Sequence, residues 1–93
     1  MSERDKRYPT KYPVVLRKGP EMFAATLCNI SQGGGCVLGA PAVKKGDTFV
    51  LDYGSGQTRA TAMWTMARMT GLKFENRLSR EGLNSIRVLT APA

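Results

Sequence analysis

The chain breaks a strand-like pattern at Asn29-Ile30-Ser31-Gln32-Gly33-Gly34-Gly35, between the apolar run at residues 22–30 and a shorter one at residues 36–38. Three successive glycines permit positive φ and let another backbone or a ligand approach closely. Asn29 and Ser31 are residue types whose side chains bond to nearby backbone groups in turns. The stretch therefore predicts a sharp turn between two antiparallel strands.

Other strand-like segments, bounded by turn residues, continue on both sides of this turn. The six predicted strands lie at residues 14–17, 22–30, 36–38, 48–53, 59–66 and 71–74. Short strands at close spacing, joined by glycine-rich turns, are typical of a sheet that closes into a barrel and so leaves no exposed edge. We therefore predict an all-β fold, a six-stranded antiparallel β-barrel.

The C-terminal segment alone carries a helical pattern. Leu83, Ile86 and Leu89 recur every three residues. Ser79 precedes them as a possible N-cap, although Gly82 weakens the helix. We expect a short C-terminal helix after the barrel.

The net charge of +7 is distributed unevenly along the 93 residues, which suffice for one domain. Residues 1–18 carry six basic side chains and two acidic ones, which favours an anionic partner. Residues 1–11 lack apolar periodicity, and Pro9 interrupts regular hydrogen bonding there. We predict a basic flexible N-terminal arm at residues 1–11 and a single barrel domain with its helix at residues 12–93.

Composition also argues against several classes of function. With no histidine and two cysteines, the chain cannot assemble a four-ligand zinc site or a Ser-His-Asp triad, so we expect no catalytic site, metal or cofactor. Cys28 and Cys36 are interpreted as small buried hydrophobes. No apolar run approaches the roughly 20 residues of a membrane span, and no signal peptide is evident. We expect a cytoplasmic protein that does not insert into membranes.

Two features become informative when they are combined: Lys6-Arg7 followed by Lys11, and the turn residues Asn29, Ser31 and Gly34. Alone, each has a plainer interpretation, as a solvated basic tail and as a capped turn. Together they offer cationic donors for phosphate oxygens and for a guanine edge, with amide, hydroxyl and backbone groups for the remaining base edge. The combination favours an anionic guanine nucleotide as ligand.

On these residues the sequence resembles the PilZ family, whose members carry an Arg-x-x-x-Arg motif in an N-terminal loop and an Asp/Asn-x-Ser-x-x-Gly motif after a strand. Arg7-Tyr8-Pro9-Thr10-Lys11 falls where the first motif belongs, and Asn29, Ser31 and Gly34 match the second. The similarity extends over nearly the whole chain. It implies a six-stranded barrel with a C-terminal helix.

The resemblance also implies a ligand, the bacterial second messenger cyclic di-GMP. By position, Arg7 would contact a phosphate or stack on guanine, Asn29 and Ser31 would hydrogen-bond a base, and Gly34 would let the base approach. The full set of nucleotide-binding residues expected on this basis is Lys6, Arg7, Lys11, Asn29, Ser31, Gly33 and Gly34.

Lys11 departs from the family pattern, which has arginine at this position. Lysine lacks the planar fork that binds phosphate through two parallel bonds. Losing one charge-assisted contact of about 1.5–3 kcal/mol would weaken binding by about 10- to 100-fold.

Three hypotheses for function follow. The first is a non-enzymatic receptor or adaptor whose arm orders on cyclic di-GMP and so alters the surface shown to an unidentified bacterial effector protein. The second is a degenerate PilZ domain that binds no nucleotide and acts through protein–protein interaction. Nucleic-acid binding through Tyr8, Tyr12 and the basic residues of the arm ranks behind both.

Trp64 is expected in the core. Strand alternation would send it to one face of its strand together with Ala60, Ala62 and Met66, and Met63 to the other face. We therefore do not include Trp64 among the ligand-binding residues.

Overall fold

A computed structural model describes residues 6–39 and 43–89 of the chain. The elements are β1 (Tyr8–Lys18), β2 (Glu21–Ile30), β3 (Gly34–Leu38), β4 (Thr48–Asp52), β5 (Gln57–Met66), β6 (Met69–Phe74) and α1 (Arg80–Leu89). The strands close into a barrel in the order β1-β2-β3-β6-β5-β4, and every neighbouring pair is antiparallel. The predicted fold class is confirmed. The described part of the chain contains no helix long and apolar enough to cross a membrane.

The core is formed by inward-facing strand residues and by one face of α1. The strand residues buried there are Val14, Leu16, Ala25, Leu27, Ile30, Val37, Phe49, Leu51, Ala60, Ala62, Leu72 and Phe74. Leu83 and Ile86 of α1 join the same cluster. Ser79 caps the helix as predicted, since its Oγ accepts a hydrogen bond from the Gly82 N–H at 3.0 Å.

β1 begins at Tyr8 rather than at residue 14, so the strand includes residues 8–11, which the sequence assigns to the arm. Tyr8 pairs with Ile30, and the register shifts between Pro9 and Tyr12. A bulge of this kind tolerates a proline that cannot donate to the sheet. Residues 1–5 lie outside the described residues, and the flexibility of the arm stays a prediction.

The beginning of β1 is also tied to α1 through the ring of Tyr8. The guanidinium carbon of Arg87 lies 3.7 Å from the ring centroid, and the ammonium of Lys6 lies 5.6 Å from it. Both distances fall within the roughly 6 Å over which a cation is attracted to an aromatic ring. The helix and the residues preceding β1 therefore meet at one side chain.

A bulge in β5 overturns the prediction for Trp64. Ala62 pairs with Leu72 and Trp64 pairs with Gly71, which leaves Met63 as an extra residue in β5. One extra residue turns the side chains that follow it to the opposite face of the sheet. Ala62 therefore points into the barrel and Trp64 points out. Trp64 is 43% exposed, so its assignment to the core is wrong.

The hairpin between β5 and β6 contains a strained residue. Met66 pairs with Met69, and only Ala67 and Arg68 connect the strands. Ala67 has a φ of 54°, the one positive φ of a residue other than glycine in the described part of the chain. An L-residue in this region costs about 1–2 kcal/mol, because Cβ crowds the following carbonyl oxygen.

We expect Ala67→Gly to raise the free energy of unfolding by about 0.5–1 kcal/mol, since relief of the strain exceeds the entropy that glycine adds to the unfolded chain. Ala24→Gly is the matched control, because Ala24 is exposed on β2 and has no positive φ. The control should lower the free energy by about 0.5–1 kcal/mol. Urea unfolding followed by circular dichroism measures both, and equal losses would contradict the assignment of strain.

Candidate functional site

The turn after β2 is closed by the backbone and side chain of Ser31. The Ser31 hydroxyl donates to the Gly34 carbonyl at 3.0 Å and accepts from the Gly34 N–H at 3.1 Å. The Ser31 N–H donates to the same carbonyl at 2.8 Å. The predicted sharp turn is confirmed, and Ser31, which is buried, helps to build it.

The glycines of this turn provide close approach rather than unusual dihedral angles. Gly33, Gly34 and Gly35 all have φ outside the positive region. A Cβ on Gly34 would overlap the carbonyl oxygen of Leu72, and a Cβ on Gly35 would lie 2.7 Å from the carbonyl oxygen of Asn29. None of the three glycines therefore adopts a positive φ. The predicted close approach of another backbone is confirmed at Gly34 and Gly35.

The two sequence motifs meet in space. Nη1 of Arg7 donates a hydrogen bond to Oδ1 of Asn29 at 3.1 Å, across 22 residues of sequence. Arg7 is exposed and Asn29 is partly buried at the end of β2. The guanidinium just before β1 therefore lies beside the glycine turn.

Arg7 and the turn border a groove of about 880 Å³, whose other side is formed by β5, β6 and the residues after β6. The lining residues are Arg7, Ser31, Gly33, Gly34, Gly35, Met63, Trp64, Gly71, Leu72, Lys73, Phe74, Glu75 and Arg77. A groove of this volume falls in the range of small-molecule sites, about 300–1,000 Å³.

The charge of the groove is positive. Arg7, Lys73 and Arg77 line it together with one acidic residue, Glu75. Oε2 of Glu75 lies 3.8 Å from Nε of Arg59, which balances part of its charge. The groove therefore favours an anion.

Trp64 lies directly over Gly71 on the neighbouring strand. A Cβ at residue 71 would overlap the indole ring, so the position of the ring requires glycine there. The half-exposed indole consequently forms part of the groove surface. A glycine within a strand often marks such an approach, and Gly71 was the available signal in the sequence.

Four of the seven predicted nucleotide-binding residues line the groove, namely Arg7, Ser31, Gly33 and Gly34. Asn29 joins them through its hydrogen bond with Arg7. Lys6 and Lys11 do not line it: Lys6 lies near Tyr8, and Lys11 is exposed in the β1 bulge. Nine lining residues were not predicted, and Met63, Trp64, Lys73, Glu75 and Arg77 are the ones among them with exposed side chains.

Gln32 connects the turn to the segment after β6. Its side-chain oxygen accepts a hydrogen bond from Nη2 of Arg77 at 3.2 Å, and its amide nitrogen donates to the Leu78 carbonyl at 3.2 Å. The first bond holds the guanidinium of Arg77, which lines the groove, beside the turn, and the second fixes the Gln32 amide.

Cys28 and Cys36 are free thiols on neighbouring strands beside the turn. Sγ of Cys28 donates to the carbonyl of Cys36 at 3.3 Å. Burial raises the pKa of the Cys36 thiol to about 12, with a further contribution from the neighbouring Cys28. Cys36 is therefore a protonated, unreactive side chain at neutral pH. The described residues include no group of three or more His, Cys, Asp or Glu side chains suited to hold a metal ion.

A sequence model of the PilZ domain family matches residues 2–91 of the chain. The match runs from before β1 to the end of α1 and includes every residue that lines the groove. No curated protein matches the chain.

We expect Gly71→Ala to displace the indole of Trp64, to change the emission of this single tryptophan, and to lower the free energy of unfolding by about 1–3 kcal/mol, as overpacking does. In a Trp64→Ala background the same substitution should be nearly neutral, because the overlapping ring is gone. Denaturant unfolding followed by circular dichroism measures both costs. An equal cost in the two backgrounds would show that the overlap with Trp64 is not what requires glycine.

Proposed function

Because the chain belongs to the PilZ domain family, we propose that it is a non-enzymatic receptor or adaptor that binds cyclic di-GMP in the groove beside Arg7. The observation that carries the proposal is the 3.1 Å hydrogen bond between Arg7 and Asn29. This hydrogen bond joins the two motifs, and Arg7 borders a positively charged groove whose volume suits a small-molecule ligand. Neither motif alone would make this case.

The ligand presents two phosphates and two guanines, and Arg7 suits both. Its guanidinium can donate two parallel bonds to a phosphate or stack on a base. Binding would exchange the exposed bond to Asn29 for contacts with the ligand, and this exchange would free the Asn29 amide for the edge of a guanine. Ser31 would serve chiefly by holding the turn, with a base contact as the second role we predict for it.

The opposite side of the groove offers the complementary chemistry. The indole of Trp64 presents a flat apolar surface on which a base can stack, an interaction worth about 1–3 kcal/mol per base. Lys73 and Arg77 supply positive charge near that surface. We propose that these three residues extend the site beyond its two sequence motifs.

Residues 6 and 7 precede β1 and belong to the predicted arm. We propose that cyclic di-GMP orders the arm against the groove and thereby changes the surface presented to a bacterial effector protein in the cytoplasm. A ligand can cause such a change only to the extent that it binds the ordered arm more tightly than the free arm. Arg7, which can contact the ligand only when the arm lies against the groove, provides that difference.

The alternative is a degenerate domain that acts through protein contacts without nucleotide. Lys11 favours this alternative, because it replaces the second arginine of the family motif and does not line the groove. A lysine can still attract phosphate as a point charge, but it cannot form the bidentate contact.

Lys11 itself does not line the groove, but the family motif has arginine at this position, and arginine carries the planar fork that lysine lacks. We therefore expect Lys11→Arg to add one charge-assisted contact and to tighten cyclic di-GMP binding by about 10- to 100-fold. Lys45→Arg is the matched control, since Lys45 is exposed in the turn before β4 and belongs to neither motif. Calorimetric titration at fixed salt measures the natural chain and both variants. Binding by the variant alone would favour the degenerate alternative, and no heat from any folded sample would overturn the receptor proposal.

We expect Arg7→Ala to weaken binding by about 10- to 100-fold through loss of a charge-assisted contact. Arg17→Ala is the control, because Arg17 lies near the other end of β1 and pairs with Asp52 at 3.4 Å. The emission of Trp64, the single tryptophan, reports ligand entering the groove. Identical titrations for the two variants would remove Arg7 from the site.

A further inference from the structure

The exposed large hydrophobic side chains of this protein are concentrated on one part of the barrel. Six such residues are exposed in the described part of the chain, and five of them lie on β3, β5 and β6. These five are Leu38, Met63, Trp64, Met66 and Met69, whereas Met22 lies alone on β2. Met66 is the most exposed, at 72%.

Strand register joins four of these residues into a continuous patch. Leu38 pairs with Met69, and Met69 pairs with Met66. Directly paired residues share a face of the sheet, with Cβ atoms about 4.5–5.5 Å apart. Trp64 precedes Met66 by two positions and therefore lies on the same face. We call Leu38, Trp64, Met66 and Met69 the methionine face.

Positive charge borders this face, and the strands that form it are free of acidic residues. β3, β5 and β6 contain neither aspartate nor glutamate. Arg68 lies at the tip of the hairpin between Met66 and Met69, and it forms no ion pair within the described residues. The Arg68 carbonyl accepts a hydrogen bond from the Gly39 N–H at 3.0 Å, which fixes the hairpin to the end of β3. Lys73 lies farther along β6 and is exposed.

The composition of this face is that of a protein interface. Tryptophan, methionine and arginine are enriched at interface cores, and acidic residues are depleted there. Methionine side chains adapt to varied partners. The strained Ala67 at the tip of the hairpin is a further sign, since strain of this kind collects at functional positions.

We propose that the methionine face docks an acidic, amphipathic segment of a partner protein. Apolar side chains of the segment would cover Trp64, Met66 and Met69, and its carboxylates would pair with Arg68 and Lys73. A second copy of this chain would instead bring like charges together, because each copy carries a net charge of +7. Anionic membranes are usually bound by clusters of about 4–8 basic residues, whereas the strands and hairpin that form this face carry three, Arg59, Arg68 and Lys73, and Arg59 pairs with Glu75.

The inference goes beyond the proposed function and does not depend on nucleotide binding. Trp64 belongs both to the groove and to the methionine face. The test is therefore performed without nucleotide, so that its result is independent of whether cyclic di-GMP binds.

Fluorescence anisotropy with labelled synthetic peptides and the full chain tests the proposal. The probe is a short peptide that alternates leucine with glutamate. One comparison peptide has lysine in place of glutamate, and another has serine in place of leucine. We expect the first peptide to bind at least about 10-fold more tightly than either comparison peptide.

Variants of the chain locate the contact. Met66→Ser should weaken binding of the acidic peptide by about 10-fold, and Arg68→Glu should abolish the preference for acidic over basic peptide. Met22→Ser is the matched control, because Met22 is 62% exposed but lies on β2. Met66 contributes little to the core, so its variant should unfold at nearly the same temperature as the natural chain.

Four results would overturn the proposal. Equal affinity for the acidic and basic peptides would show that charge plays no part in binding. A loss of affinity in Met22→Ser equal to that in Met66→Ser would show that the peptide does not bind at the methionine face. Binding to phosphatidylglycerol vesicles that Met66→Ser abolishes, without peptide binding, would indicate a membrane surface. A dimer in sedimentation velocity that Met66→Ser dissociates would indicate a second copy.

Discussion

The closure of the barrel depends on how closely β3 can approach β6. Gly34 faces the carbonyl oxygen of Leu72, at a distance that leaves no room for a Cβ. Its neighbour Gly35 is similarly close to the carbonyl of Asn29. These two contacts let a short strand bridge β2 and β6, which are far apart in sequence. The same approach brings the turn next to β6 and so creates the groove, which means that the Asn-x-Ser-x-x-Gly motif has a structural role before it has a binding role.

Irregular strand pairing occurs at three places near the groove and directs one of its lining side chains, Trp64, outward. Register shifts occur in β1 between Pro9 and Tyr12, in the β2–β3 pair beside Cys28, and in the β5–β6 pair at Met63. A bulge redirects the side chains that follow it, and bulges are common next to functional sites. In this protein they lie near Lys11, Asn29 and Trp64 respectively. The barrel thus holds the strands in fixed positions, and the bulges set the direction of the side chains that follow them.

Charge is separated around the barrel in a way that leaves one side basic. Asp47 and Asp52 are engaged on the β4 side, where Lys18 contacts Asp47 at 2.8 Å and lowers the pKa of that carboxyl. Backbone and side-chain hydrogen bonds from Gly54 and Gln57 lower the pKa of Asp52, and Arg17 adds to the effect. The carboxylates of Asp47 and Asp52 are paired there and do not neutralise Arg68 in the β5–β6 hairpin or Lys73 on β6. The groove and the methionine face both lie on this basic side and share Trp64, so an anionic ligand and an acidic partner would meet at adjacent surfaces.

The sequence by itself determined the six strands, the turn at Ser31 and the Ser79 cap, because these rest on local periodicity and turn chemistry. The proximity of Arg7 to Asn29, 22 residues apart, was expected from the resemblance to the two family motifs and not from local pattern. The sequence did not reveal the outward position of Trp64, the early start of β1 or the contribution of Lys73 to the groove. Those features depend on which residues pair between strands and where one extra residue shifts the register. Pairing of this kind joins positions that are distant in sequence. The alternation of apolar and polar residues along one strand does not reveal which residues it pairs with. Only the tertiary structure could decide them.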